Sequence, residues 1–153
     1  MNSASIAVNF PLGGFSSTHI VGTSAEYAWS NYRFGKMDIK PVKPFGFIAN
    51  TGLAYYFGKK ETAIGYPYDY PGYLFLHIYG GVIYNPWKKG NVNLTLGPAL
   101  GLYNGNTQFN MGGKIEGSYY INEKIGISPA FLKMKEHGAD ALWVISFKAA
   151  YCF

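Results

Sequence analysis

Residues 91–102 read Asn91-Val92-Asn93-Leu94-Thr95-Leu96-Gly97-Pro98-Ala99-Leu100-Gly101-Leu102, and this stretch decides the fold. Val92, Leu94, Leu96, Pro98, Leu100 and Leu102 fall on one face of an extended chain; Asn91, Asn93, Thr95, Gly97, Ala99 and Gly101 fall on the other. A period of two is strand geometry, because successive side chains point to opposite faces of a sheet. One apolar face suits a soluble barrel and a membrane barrel equally. The other face separates them. In bulk water it should carry many Lys, Glu, Asp and Arg, and here it carries Gly, Ala, Thr and Asn. Small neutral residues fit a crowded, narrow lumen. The bulky apolar residues then face outward, which is favourable only against lipid. Closing the sheet also removes the unpaired edges that hydrocarbon penalises.

The pattern spreads from there. Phe109, Met111, Ile115, Tyr119 and Ile121 alternate with Gln108, Asn110, Gly112, Lys114, Glu116 and Ser118. Near the C-terminus, Trp143, Ile145, Phe147, Ala149, Tyr151 and Phe153 oppose Leu142, Val144, Ser146, Lys148, Ala150 and Cys152. Turn signals at short intervals mark about eight strands: Ser5–Leu12, Ile20–Phe34, Phe45–Phe57, Tyr73–Tyr84, Val92–Tyr103, Gln108–Ile121, Ile125–Lys133 and Leu142–Phe153. Several exceed the usual soluble strand of about 5–6 residues and suit a tilted spanning strand of about 9–11. The expected fold is all-β: an eight-stranded antiparallel up-and-down transmembrane barrel, with residues 1–153 as a single domain. Pro98 and Pro129 lie inside strands, and each should mark a bulge or a strand rim.

Composition agrees. Charged residues are 14% of the 153, against about 25% in ordinary soluble proteins. Glycine is 20 of 153 and aromatics are 18%, while the hydrophobic fraction is 48%. Disorder needs low hydrophobicity and high charge, and a helical bundle needs Ala, Glu, Lys and Leu in quantity; neither is met. No apolar run is long enough for a transmembrane helix. The net charge of +5 comes with lysines in short clusters, Lys59-Lys60, Lys88-Lys89 and Lys133 with Lys135. These read as solvated loop charges, so no nucleic-acid partner is expected. The N-terminus has neither a basic nor an apolar leader region; either there is no export signal or it has been removed. Cys152 is the single cysteine and forms no internal disulfide.

Connections alternate in size. Gly58–Gly72 is long, Asn85–Asn91 compact, Asn122–Lys124 hairpin-sized and Glu136–Asp140 intermediate. Long loops and tight turns therefore fall on opposite ends, as in outer-membrane barrels; Gly35–Pro44 breaks the trend. Aromatics gather near strand ends: Tyr27 and Trp29, Tyr55 and Phe57, Tyr84 with Trp87, Tyr119 with Tyr120, Tyr151 with Phe153. Set beside the lipid-face argument, they form girdles at the membrane–water boundary.

The eight-strand meander, the tight Asn122-Glu123-Lys124 turn and the closing Trp143-Val144-Ile145-Ser146-Phe147-Lys148-Ala149-Ala150-Tyr151-Cys152-Phe153 resemble the small OmpA/OmpX-type outer-membrane β-barrels. The resemblance spans the chain as architecture and is specific as a motif only in the last strand. It implies a bacterial outer-membrane location, lipid and lipopolysaccharide as surroundings, and recognition by the barrel assembly machinery through Phe147, Tyr151 and Phe153.

Glu26, Lys114, Glu116 and Lys148 fall on the inward face, with His77 joining them. Charges in so narrow a lumen must pair, since stranding one costs several kcal/mol. They form either a gate for ions or a static plug; the plug is preferred because an eight-stranded barrel is filled by its own side chains. Some small outer-membrane barrels modify lipid A with a His, a hydroxyl and a carboxylate. His19 follows Ser16-Ser17-Thr18, and His137 sits near Glu136 and Asp140, but no His-x-Ser arrangement exists. Catalysis is therefore not expected. Nor is a metal or cofactor: Cys152 and the histidines lack ligand spacing, and Gly80-Gly81 and Gly112-Gly113 lie inside strands, where glycine marks a bulge or close packing under a ring. The run Tyr66-Pro67-Tyr68-Asp69-Tyr70-Pro71 is Tyr-rich. Tyr66, Tyr68, Asp69 and Tyr70 form either a recognition surface, for a protein, glycan or lipopolysaccharide, or a rigid cap on the rim. The expected role is a structural or adhesive scaffold, or a subunit of a larger envelope complex. A soluble lipocalin-type barrel with its apolar faces inward is the alternative.

Overall fold

Alternation this regular leaves one way to bury polar backbone and polar side chains together: a sheet rolled until its edges meet. The computed structural model describes residues 1–31, 44–63, 66–135 and 141–153. Its elements are β1 (Asn2–Leu12), α1 (Gly14–Thr18), β2 (His19–Ser30), β3 (Phe45–Gly58), β4 (Lys60–Ala63), β5 (Tyr66–Asp69), β6 (Tyr73–Trp87), β7 (Gly90–Tyr103), β8 (Asn106–Tyr120), β9 (Ile125–Lys135) and β10 (Leu142–Cys152). Eight strands close in the order β1-β2-β3-β6-β7-β8-β9-β10, and β4 pairs with β5 as a separate hairpin. The barrel closes where β1 meets β10, from Ser3 opposite Cys152 to Leu12 opposite Trp143. At the seam the Phe153 and Asn2 backbones exchange two hydrogen bonds, at 2.9 and 3.2 Å.

The apolar face is outside. Ile6 is 70% exposed, and Phe47 and Ile78 are 66% exposed. A water-soluble chain does not wear such a surface all round, and the lipocalin alternative, which needs those side chains inward, fails on this orientation. Both prolines face outward. Neither makes a bulge, contrary to expectation. The β6–β7 ladder skips the pairs at Pro98 between His77–Ala99 and Gly80–Leu96, and the β8–β9 ladder skips Pro129 between Glu116–Ala130 and Tyr119–Ile127; in both the register is unchanged. Each proline lacks an N–H to give, and the long continuous ladders on either side hold the strands in step.

The barrel has two unlike ends. One carries both chain termini, the Lys88-Lys89 turn and residues 121–124; we call it the terminal end. The other carries α1 and the β4–β5 hairpin; we call it the plugged end. The long link Gly35–Pro44, except for Pro44, lies outside the described residues, as does the 31–34 extension of the second strand beyond Asn31. The expected split of long loops and tight turns has a second exception. Strands β7 and β8 join at the plugged end through two residues, Asn104 (φ 47°) and Gly105 (φ 76°). Two successive positive φ angles make a type I′ turn, whose twist matches a hairpin and which favours Asn-Gly.

Candidate functional site

At mid-height the lumen holds a closed cycle of charge. Lys114 Nζ lies 2.5 Å from Glu26 and 3.2 Å from Glu116; Lys148 Nζ lies 2.7 Å from Glu26 and 2.5 Å from Glu116. His77 Nε2 sits 3.2 Å from Glu26. Two carboxylates and two ammoniums sum to zero, so no net charge is buried. The barrel order explains the meeting. Glu26 on β2 faces Lys114 and Glu116 on β8 directly across the lumen, and His77 on β6 faces Lys148 on β10. The charges thus come from alternate strands, a quarter-turn apart, and fill one layer. Gly52 makes room for the histidine, because a Cβ there would come within 2.6 Å of the His77 ring.

Above this layer, toward the plugged end, the lumen is aromatic. Phe15 of α1 dips inward and packs on Tyr56 and Tyr73, with centroids 5.0 and 5.7 Å apart. Phe75, Met134 and Val144 complete a buried cluster. Phe75 and Tyr79 flank His77 at 5.6 and 4.6 Å. This plug was not legible in the alternation, which gave the lumen small polar residues and a few charges, with Leu142 and Val144 the only large apolar side chains on that face. The available signal was β6 itself, where Tyr73, Phe75, His77 and Tyr79 share the face opposite Leu74, Leu76 and Ile78. Both faces are apolar there, so parity alone left the inward one unremarked. Its counterpart is the placement of inward glycines: a Cβ at Gly101 would overlap Tyr73 and one at Gly112 would overlap Tyr79. Gly112 thus lies under a ring, as expected; Gly81 instead meets the backbone of β7, and Gly80 faces open space.

Below the charges, toward the terminal end, the lining is mostly small and polar, with Ile48 and Ile83 among it. Ser3, Ser5, Ser30, Asn91, Asn93, Ser118 and Ser128 surround a void of about 40 Å³. Ser128 donates to Ser118 at 2.9 Å, and Asn91 donates to the Tyr120 hydroxyl at 3.0 Å. Tyr120 therefore belongs to the lumen, which corrects its place in the outer girdle. Adjacent Tyr119 and Tyr120 cannot share a face of one strand, and Tyr119 is the one outside.

Among the other singled-out residues, Phe147, Tyr151 and Phe153 all project outward along the seam. Phe147 meets Phe10 edge-on at 6.2 Å, and Phe153 lies near Tyr27 at 6.3 Å. The long 58–72 stretch is no plain loop, since it contains the β4–β5 hairpin. Tyr68 and Tyr70 stand edge to face at 4.8 Å, and Asp69 pairs with Lys60 at 3.5 Å in the open. The base of the hairpin is tied to the rim: Lys59 N–H donates to the Thr18 carbonyl at 2.8 Å, Tyr70 N–H continues the hairpin ladder to Lys59 O at 2.9 Å, and a Cβ on Gly58 would collide with the Tyr70 carbonyl. The Tyr66 side chain lies outside the described residues, as do Glu136, His137 and Asp140. His19 is buried against Phe15, 4.6 Å away, and its Nδ1 is 2.8 Å from the Thr18 hydroxyl. Among the described residues His19 meets the hydroxyl of its chain neighbour Thr18 and His77 meets Glu26; neither meets a serine hydroxyl. No group of three or more potential metal ligands occurs among the described residues. Lys133 and Lys135 are not loop charges but outward-facing members of β9.

No family model and no curated protein matches the chain. Solved structures do match in fold. The attachment invasion locus protein Ail of Yersinia pestis superposes with a TM-score of 0.63 at 12% identity, over 99% of this chain and 96% of that one. The outer membrane enzyme PagL gives 0.61 at 10% identity, over 99% of each chain. Neisserial surface protein A gives 0.53 at 13% identity, over 98% of this chain and 93% of that one. At such identities the likeness is one of architecture: the chain has the fold of the small eight-stranded outer-membrane β-barrels of the OmpA/OmpX-like type.

Proposed function

We propose that the protein is an integral barrel of a bacterial outer membrane that serves as a structural and adhesive scaffold, with the plugged end outward and the β4–β5 hairpin displayed to partners. The observation that carries this reading is the filled lumen. A charge layer and an aromatic plug occupy the bore in series, while Tyr68, 53% exposed, stands on a hairpin braced against the rim. Rings on a rigid support bury area with little entropy loss, which suits recognition of a protein or glycan surface. The apolar outer wall favours lipid as its solvent, and the outward Phe147, Tyr151 and Phe153 suit an assembly signal read from outside the barrel.

Migration on gels before and after boiling tests the membrane reading: a folded detergent-embedded barrel shifts, and a protein that is soluble and monomeric without detergent excludes it. Planar-bilayer recording should show no large steady conductance. For the scaffold role, cells displaying the barrel should adhere to host-cell monolayers, and cells displaying a Tyr68→Ser, Tyr70→Ser variant should adhere less. Equal adhesion would remove the hairpin from the reading. Native co-purification from envelopes identifies whether a larger complex is the partner.

A further inference from the structure

The outer wall carries cations where lipid should forbid them. Lys133 and Lys135 project from β9 on the face that otherwise shows Phe131, Ile127 and Ile125. Neither has a carboxylate within ion-pair distance among the described residues. A lysine on the lipid face costs little at the headgroup level and progressively more toward the midplane. Lys133 lies two residues in from the end of its strand, and its ammonium sits 4.4 Å over the Trp143 ring. Trp143 is itself packed on Phe131 at 5.2 Å. The ammonium is thus held at the wall rather than swung out to water.

Directly beside it the wall is dented. One row across the sheet runs Leu96, Gly113, Lys133, Trp143. Gly113 has no side chain to stand beside Lys133, and only the flexible tip of Leu96 leans over it, 2.6 Å from where a Cβ would stand. Met111 and Ile115 border it along β8, and the neighbouring row holds Lys135 opposite Met111. The result is an open apolar groove whose rim toward the plugged end carries both lysines. Lysines two residues apart on one strand face place their Cα atoms about 7 Å apart, close enough for both ammoniums to reach one headgroup.

We propose that this groove is a binding site for a phosphorylated glycolipid of the outer leaflet, of the lipid A type. An acyl chain lies along the dent at Gly113 and a headgroup phosphate is held by Lys133 and Lys135. The charge complementarity identifies the phosphate, the dent the chain, and the position toward the plugged end the leaflet. Trp143 contributes a flat face at headgroup depth, where its amphipathic ring is favoured. The site rests on the outer-membrane reading above and adds to it a specific seat for the lipid.

Native mass spectrometry of the detergent-folded barrel, titrated with bisphosphorylated lipid A, with its dephosphorylated form and with phosphatidylglycerol, tests the site. Bisphosphorylated lipid A should be retained and the other two largely lost. Lys133→Gln with Lys135→Gln should weaken retention about twenty-fivefold, from roughly fivefold per lysine near a membrane surface. Gly113→Leu fills the dent by displacing only the flexible tip of Leu96, touches no charge, and should also weaken retention. Each variant is checked for the shift on boiling, and Lys135→Gln alone replaces the double variant if that fails to fold. Unchanged retention in the lysine and glycine variants, or equal retention of phosphatidylglycerol, overturns the site while leaving the membrane reading intact. A wild-type protein that shows no shift on boiling overturns both.

Discussion

The two halves of the lumen, above and below the charge layer, solve the same problem in opposite ways. Toward the plugged end, Phe15, Tyr56, Tyr73, Phe75, Met134 and Val144 pack as a soluble protein's core does. Toward the terminal end, serines and asparagines, with Ile48 and Ile83, surround a void of about 40 Å³, room for a water or two. The first half derives its cohesion from contact and loses it when a void is opened. The second derives it from hydrogen bonds that water can replace. The charge layer is the boundary. It belongs to neither half, because ions that cross-link β2, β8 and β10 need one another more than they need either neighbour.

Substitutions can break this contrast. The largest effect is expected at the boundary. Glu26→Gln takes the carboxylate from both lysines at once and should cost about 3–5 kcal/mol, read as a lowered urea midpoint of the barrel in lipid vesicles. Lys114→Met strands the carboxylates instead and should fall in the same range; an unchanged midpoint for either would mean that the pairs add nothing to stability. Next comes the aromatic half. Phe15→Ala empties the centre of the plug at a cost of about 3 kcal/mol, and Tyr56 should become reachable by water-borne quenchers. A smaller effect is expected under Tyr79. Gly112→Ala pushes a methyl into the space of the hydroxyl, an overpacking of about 1–3 kcal/mol. Combining it with Tyr79→Phe should recover part of that loss, and strict additivity would show that the contact is slack. The smallest effect belongs to the polar half. Ser118→Ala removes a hydrogen bond from Ser128 and should cost about 1 kcal/mol or less. A loss as large as that at Phe15 would erase the distinction between the halves.

Much of the wall was legible residue by residue. Leu94 and Leu96 outside, Thr95 and Asn93 inside, and Lys114 and Glu116 inside all follow from parity along a strand, because one residue of slip would invert the whole set. Parity also placed Glu26, His77 and Lys148 inward. The errors came where parity had nothing to contrast. In β6, Tyr73 and Phe75 inside are as apolar as Leu74 and Leu76 outside. At Tyr119-Tyr120, a likeness of residue type obscured the rule that neighbours point apart. Lys133 and Lys135 read as loop charges because solvation is the usual home of a lysine, whereas the strand runs on through both. In the 58–72 connection the prolines and tyrosines signalled a loop, and the β4–β5 pairing formed despite Pro67 because Pro67 sits in a two-stranded ribbon with one open edge.

By itself the chain's sequence determined that the fold is a β-barrel, that its apolar face is outward, and which side chains line the bore wherever apolar and polar residues alternate, which leaves out β6 and Tyr120. Local chemistry suffices for these, since a strand's period and the poverty of charge on its polar face depend only on neighbours in sequence. Tertiary structure alone decided which of the inward residues meet. Glu26 and Lys114 are 88 positions apart, and only closure in this strand order brings them opposite one another. It also decided that Phe15 plugs the bore and that Lys133 borders a groove at Gly113. Each of these depends on register between strands remote in the chain, and register is set by the closed sheet as a whole.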